Sequence, residues 1–408
     1  MTPLLVCLAV AGAPPALQVR PLEGGGELIA LPAPGPAWSE VRVALPTPPD
    51  PEGRAGLGAV IAELLDARLT DAAGLGATLE VQRHPEGLII AFGAPPEAVQ
   101  SNLQDVMAAL APGPLSTPEV DRAVAAAVAA RQASLRDDRR LLRGTLRQAL
   151  TGQAPVEGDV SGLAEVTQAD AAAFLAAVLK AGRRAVVITG RIPAGAAALV
   201  QDSLPPPIHG GTPAPTPKTT AGPAEGPLEL WLVDQPGRHD ARVALGLWAP
   251  DVRAEAGPAV VAALAASDGI EAEWGAPVLT LARTATVGAE PEALARLLGW
   301  AKAPPLGEAA WRRGVATATA SVDLALRDPR RAADALASDR LDPGRTLRPV
   351  LRARVVGLTA PPEGLADALL ERARARAVIL TDVRPGLIQR LTALPGVGRV
   401  RVVAWDQR

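Results

Sequence analysis

The chain has 408 residues, 48% hydrophobic and 21% charged, which suits two ordinary domains with full cores and excludes a disordered polymer. The formal net charge is −2 and no segment gathers basic residues among aromatics, so nucleic-acid binding has no support. Aromatic residues are only 2%, with no tyrosine and only Phe92 and Phe174 as phenylalanines, so the cores must be built from Ala, Leu and Val.

Residues 4–12 (LLVCLAVAG) are an apolar run of signal-peptide length, too short to span a bilayer. Small residues follow, and a cut after Ala11 is preferred to one after Ala13 because Pro14 comes next. Residues 1–13 are therefore read as a signal peptide, although no Lys or Arg precedes the apolar run. The expected location is periplasmic or extracellular, and cytoplasmic if this stretch is instead a buried first strand. The single cysteine, Cys7, lies inside that leader, so the mature chain is expected to lack a thiol or disulfide.

Residues 27–45 (ELIALPAPGPAWSEVRVAL) give a strand, a Pro/Gly turn and a second strand ending in Arg-Val-Ala-Leu. The apolar stretch 55–65 predicts a helix, and alternation at 78–83 and 87–94 predicts two more strands. GAPPEAV at 93–99 closes a strand and opens a helix. Residues 117–151 are almost continuously helical, with Thr117, Pro118 and Glu119 as N-cap and first turn. LRDDRR at 135–140 reads as a charged turn between helices, and RRAVVITGRI at 183–192 as a strand leading into a helix. Residues 203–227, rich in Pro, Gly and Thr, can continue neither a helix nor a ladder and read as an extended linker.

The same series then recurs. ELWLVDQPGRHDARVAL (229–245), AGPAVVAALAA (256–266), GAEPEAL (288–294), LRDPRR (326–331) and ARAVILTDVR (375–384) follow in the same order, 191 to 202 residues after their counterparts. Matches in one order at nearly one offset mean duplication. The domains are taken as 20–202 and 228–408. Each half should run strand, strand, helix, strands, three helices, strand, helix, strand, with LPGVGRV at 394–400 turning into the last strand. Strands and helices do not strictly alternate, so the fold class is α+β: two homologous tandem domains, each a largely antiparallel sheet with helices on one face.

Duplicated α+β halves, an extended linker, and the stretch Asp50-Pro51-Glu52-Gly53-Arg54-Ala55-Gly56-Leu57 opening a helix resemble the pitrilysin/insulinase-like metallopeptidases, the group of mitochondrial processing peptidase. The resemblance covers nearly the whole chain after the leader. In active members it implies an H-x-x-E-H helix, whose two histidines share one face and hold zinc while the glutamate takes a proton from the bound water. Here the five positions are Ala59, Val60, Ile61, Ala62 and Glu63: the first ligand and the base are alanine, and the second ligand is glutamate. No histidine lies between Met1 and His84, and 123–138, where a third ligand is expected, contains no glutamate. Methyl groups neither bind zinc nor accept protons, so this helix cannot hydrolyse peptides by the family's route. The substrate-contacting Arg/Tyr pair of active members is also impossible without a tyrosine.

No other chemistry replaces it. His84, His209 and His239 lack metal-ligand spacing and are expected at the surface. No P-loop or G-x-S-x-G elbow is present, and Gly56-Leu57-Gly58 is only a fragment of a dinucleotide fingerprint. No catalytic residue, cofactor or metal is expected. The resemblance implies a non-catalytic subunit that pairs with a zinc-containing homologous peptidase and helps form a chamber for extended peptides. The alternative is a stand-alone structural or peptide-binding protein, a homodimer or a single chain, without a peptidase partner. An enzyme of unrelated chemistry between the domains has no motif behind it.

Overall fold

The computed structural model describes residues 17–404 except 24–25, 52, 73–78, 111–112, 153–154, 181–183, 205–221, 224–225, 250–255, 266–269, 276–277, 303–306, 343–346 and 362–374. The expected leader with Cys7, most of the expected linker with His209, and Trp405 lie outside the described residues.

The strands of the first half are β1 (Gln18–Pro21), β2 (Glu27–Pro32), β3 (Ser39–Pro46), β4 (Glu80–His84), β5 (Gly87–Ala94) and β6 (Ala185–Gly190). They form one sheet in the order β1-β2-β6-β3-β5-β4, antiparallel except between β2 and β6. The second half supplies β7 (Leu228–Asp234), β8 (Asp240–Trp248), β9 (Glu271–Gly275), β10 (Val278–Thr286), β11 (Ala375–Thr381) and β12 (Val397–Ala404). Their order is β12-β7-β11-β8-β10-β9, with β7 parallel to both β11 and β12.

Five strands correspond one to one across the two sheets, as the repeat in the sequence requires. The sixth does not. The edge beside β2 is filled by β1 from before it, running antiparallel, whereas the edge beside β7 is filled by β12 from the far end of the half, running parallel. A closing strand in each half was expected, and among the described residues only the second half has one. In the first half the edge position is already occupied when the chain leaves β6.

Helices of the first half are α1 (Leu57–Ala72), α2 (Val99–Ala109), α3 (Thr117–Leu135), α4 (Asp138–Thr151), α5 (Val160–Ala164), α6 (Gln168–Lys180) and α7 (Ala196–Ser203). The described helices of the second are α8 (Gly257–Ala265), α9 (Glu290–Lys302), α10 (Glu308–Arg327), α11 (Pro329–Leu341), α12 (Arg348–Val356) and α13 (Leu387–Thr392). The helical stretch expected over 117–151 breaks at Arg136 and Asp137, where the Asp137 carboxylate accepts from the amides of Arg139 (2.9 Å) and Arg140 (3.1 Å) and starts α4. Asp328 does the same for α11 by accepting from Arg331 N at 3.0 Å, so both charged turns are N-caps. The cap of α3 is Ser116 rather than Thr117, with the Glu119 carboxylate accepting from Ser116 N and Oγ.

Successive residues of a strand face opposite sides of its sheet. In the first sheet Val41, Val43, Leu45, Leu88, Ile90, Phe92, Val186 and Ile188 join α1, α2, α3 and α6 in one core. Ile29, Leu31, Ala44, Ile89, Ala185 and Val187 are just as buried on the opposite face, against Ala332, Ala333, Leu336, Ala337 and Leu341 of α11. The second sheet mirrors this. Val243, Leu245, Leu247, Ala377 and Ile379 pack with its own helices, while Trp231, Val233, Ala244, Ala282, Val378 and Leu380 pack on Leu141, Leu142, Leu146 and Leu150 of α4. Each half thus packs the described helices of its main core on one face of its own sheet and sends one helix to the outer face of the other sheet. Among the described residues no helix is long and apolar enough to cross a membrane.

Candidate functional site

The start of α1 is where the sequence points. Gly56 at φ +100° and Gly158 at φ +77° let two backbones touch, since a Cβ on Gly158 would lie 2.4 Å from the Gly56 Cα. The loop before the helix is fixed by Asp50, whose carboxylate accepts from Gly56 N at 2.8 Å and Gly58 N at 2.9 Å. Arg54 ties the same loop to the start of α6 through Glu165 (2.9 Å) and Asp170 (3.1 Å).

Arg83 of β4 lies over this first turn. A Cβ on Gly58 would sit 2.6 Å from its guanidinium carbon, so glycine at 58 makes the space the arginine occupies. Arg83 Nη1 donates to Thr47 Oγ1 (2.9 Å) and Gly87 O (2.8 Å), and Asp50 lies 3.9 Å from Nη2. Its Nε is buried without an acceptor among the described residues. Burial pulls this guanidinium below the usual arginine range, against the opposing charges of Asp50 and Glu86 and with help from Arg147.

The inverted-motif positions follow. Val60 and Ile61 are fully buried, Ala62 is 5% exposed and belongs to the core, and Ala59 packs partly buried against it. A carboxylate at 62 would therefore lie in an apolar environment, not in a cleft open to water. Glu63 is half-buried, and burial, then the nearby Asp66 charge, holds its carboxyl above the usual range. Asp66 accepts from Val81 N at 2.9 Å, so an amide at the free edge of β4 is taken by a side chain of α1.

On α3, the third-ligand region presents Arg131, only 3% exposed, with Ser134 Oγ at 3.2 Å, Glu157 at 3.9 Å and a buried Nε without an acceptor among the described residues. The residues around α1 do not fit zinc: two methyl groups, one carboxylate and two nearby arginines replace an imidazole pair and two glutamates. Among the described residues no three or more His, Cys, Asp or Glu side chains are grouped to hold a metal ion.

His84, expected at the surface, is instead part-buried at the junction of the halves. Its Nε2 is 3.0 Å from Ser338 Oγ and 3.7 Å from Asp342 of the other half, and its Nδ1 accepts from Glu86 N at 3.2 Å. Sequence reading missed Arg83 and Asp66, and marked Asp50 only as part of the stretch before the helix, because each is an ordinary charged residue and only the fold brings them together around α1. Trp231, Trp248 and Trp311 are buried, while Trp38 is 40% exposed and stacks against Gly93.

The fold is that of the two-domain peptidase-like proteins, and solved structures place it there at low identity. A protease from Helicobacter pylori superposes with a TM-score of 0.74 at 13% identity, over 90% of this chain and 100% of its own. The inactive domain of an M16 peptidase from Pseudomonas fluorescens gives 0.69 at 14%, over 90% and 98%. A chain of complex III2 from Candida albicans, with Inz-5 bound, gives 0.69 at 10%, over 92% and 99%. These likenesses establish the fold. No family model matches the sequence, and no curated protein does either.

Proposed function

We propose that this chain is a non-catalytic pitrilysin-like subunit, exported to the compartment of a zinc-bearing homologue with which it forms a chamber for extended peptides. The observation that carries this reading is an intact duplicated scaffold around a helix whose ligand positions are Ala59 and Glu63 and whose base position, Ala62, is sunk in the core. The similarity to an inactive peptidase domain supports a role without hydrolysis. The zinc and the catalytic base would come from the partner, and this chain would supply wall and sheet edge.

The test is affinity capture of the tagged mature chain from its native cells, followed by mass spectrometry and a zinc assay on the complex. Recovery of a zinc-containing homologue in comparable amount supports the reading. A metal-free protein recovered alone, or only with itself, refutes it and moves the weight to a stand-alone binding protein.

A further inference from the structure

We propose that β12 is an addition site for one further strand, an extended acidic segment of another polypeptide with acids at alternate positions. The site is separate from the proposed chamber, because β12 lies at the opposite end of its sheet from β9, the counterpart of the strand β4 beside α1.

A strand at a sheet edge presents unpaired N–H and C=O groups to an approaching extended chain. The two sheets have four such edges, and three are occupied or short. At β4 the Val81 amide is taken by Asp66 at 2.9 Å, and Glu80 pairs with Arg330 at 3.6 Å. On β9, Glu271 pairs with Arg139 at 3.2 Å and Glu273 with Arg143 at 2.5 Å. β1 has four residues and ends in Pro21, which has no N–H to give. β12 differs in each respect. It has eight residues, four of them valine and none of them proline, and among the described residues β7 is the only strand paired with it.

The side chains of β12 define what would pair there. Past the irregularity between Val397 and Arg399, the strand runs regularly to Ala404, about 20 Å of edge. Arg399 and Arg401 alternate with Val400 and Val402, so the arginines share one face of the sheet and the valines the other. Arg401 is held over the Trp231 ring, 4.7 Å from its centroid, and among the described residues neither arginine reaches an acid. Val402 is 46% exposed. A strand laid along this edge would set its acids beside Arg399 and Arg401 and its apolar residues beside Val400 and Val402. Cross-strand neighbours of opposite charge stabilise a sheet.

A second copy of this chain does not meet those requirements. Antiparallel pairing of β12 with itself, centred on Val400, would set Arg399 of each copy beside Arg401 of the other. Like charges directly opposite are destabilising, so the same arginines reject self-association and select an acidic partner.

The experiment uses the full chain and two synthetic peptides of about eight residues, the length of β12. One alternates glutamate with valine, and the other alternates lysine with valine. Binding is read from the fluorescence anisotropy of the labelled peptide, and its place from hydrogen exchange along the chain. The glutamate peptide should bind at up to about 100 µM, slow exchange of the β12 amides and leave β1 and β4 unchanged. The lysine peptide should bind at least tenfold more weakly, and added salt should narrow the difference. In the chain carrying Arg399→Glu and Arg401→Glu the preference should reverse. Equal binding of the two peptides, or protection at another edge, overturns the proposal. So does binding of neither, which would leave the arginines as guards against aggregation alone. The peptide comparison on the parent chain needs no substitution and decides the matter even where the double variant fails to fold. Capture of a zinc-bearing homologue enters none of these readouts, so failure here and failure of the proposed function are separate results.

Discussion

If the halves are one cooperative body, damage deep in the first should unfold the second. Leu65, fully buried on α1, lies in the first core with Val41, Val43 and Phe92 and touches nothing of the second half's core cluster. Leu65→Ala removes three methyl or methylene groups, about 2.4 kcal/mol at ~0.8 each, and the cavity left among fixed strands raises the cost to about 3–4 kcal/mol. With a urea slope near 3 kcal/mol per molar, the midpoint should fall by about 1 M. Six of the seven tryptophans belong to the second half, so in a Trp38→Phe background fluorescence reports that half alone. Circular dichroism reports both. The expected result is one transition, shifted equally in both signals, although the substitution and the reporters occupy different halves. A fluorescence midpoint unmoved from the parent, with a biphasic circular dichroism curve, would refute the coupling and the packing argument behind it.

Other expectations concern single sites. Asp137→Ala and Asp328→Ala each remove the carboxylate that starts an exchanged helix, and each should cost about 1 kcal/mol in urea unfolding. Gly158→Ala forces a Cβ against the Gly56 backbone at positive φ and should cost more than about 2 kcal/mol by thermal unfolding. For Glu63 the folded carboxyl titrates above its unfolded value of 4.5, so the folded state binds the extra proton and this group costs stability as pH rises through that window. Glu63→Gln should therefore stabilise the protein at pH 7, with the gain vanishing below the unfolded value, as measured by thermal unfolding across pH. Asp66→Ala should free the Val81 amide, and hydrogen exchange at that amide should accelerate while amides in the centre of β5 keep their protection.

The duplication was legible because motifs such as Arg-Val-Ala-Leu and Leu-Arg-Asp-x-Arg-Arg keep their order and spacing. The central strands were legible because their apolar runs have few other uses. β1 was not, since Gln18-Val19-Arg20-Pro21 is only four residues long and exposed along its length. An edge strand buried on neither face leaves no hydrophobic signal. The exchange of α4 and α11 was hidden for a different reason. An apolar stripe such as Leu142, Leu146 and Leu150 says that a face is buried and is silent about what buries it. At α1 the sequence could say which chemistry its residues cannot perform. It could not say that Arg83 would lie over Gly58, because that contact depends on where the β4 edge falls relative to the helix.

The crossed placement of α4 and α11 also sets a timetable for the nascent chain. The first sheet has all six strands once β6 has been made, yet its outer face stays bare until Leu341 has emerged. Through that interval Ile29, Leu31, Ile89 and Val187 have no cover, and the leucines of α4 wait for a sheet not yet synthesised. A chain in that condition is sticky, and its maturation should depend on holding factors that keep it apart from its neighbours until synthesis is nearly complete.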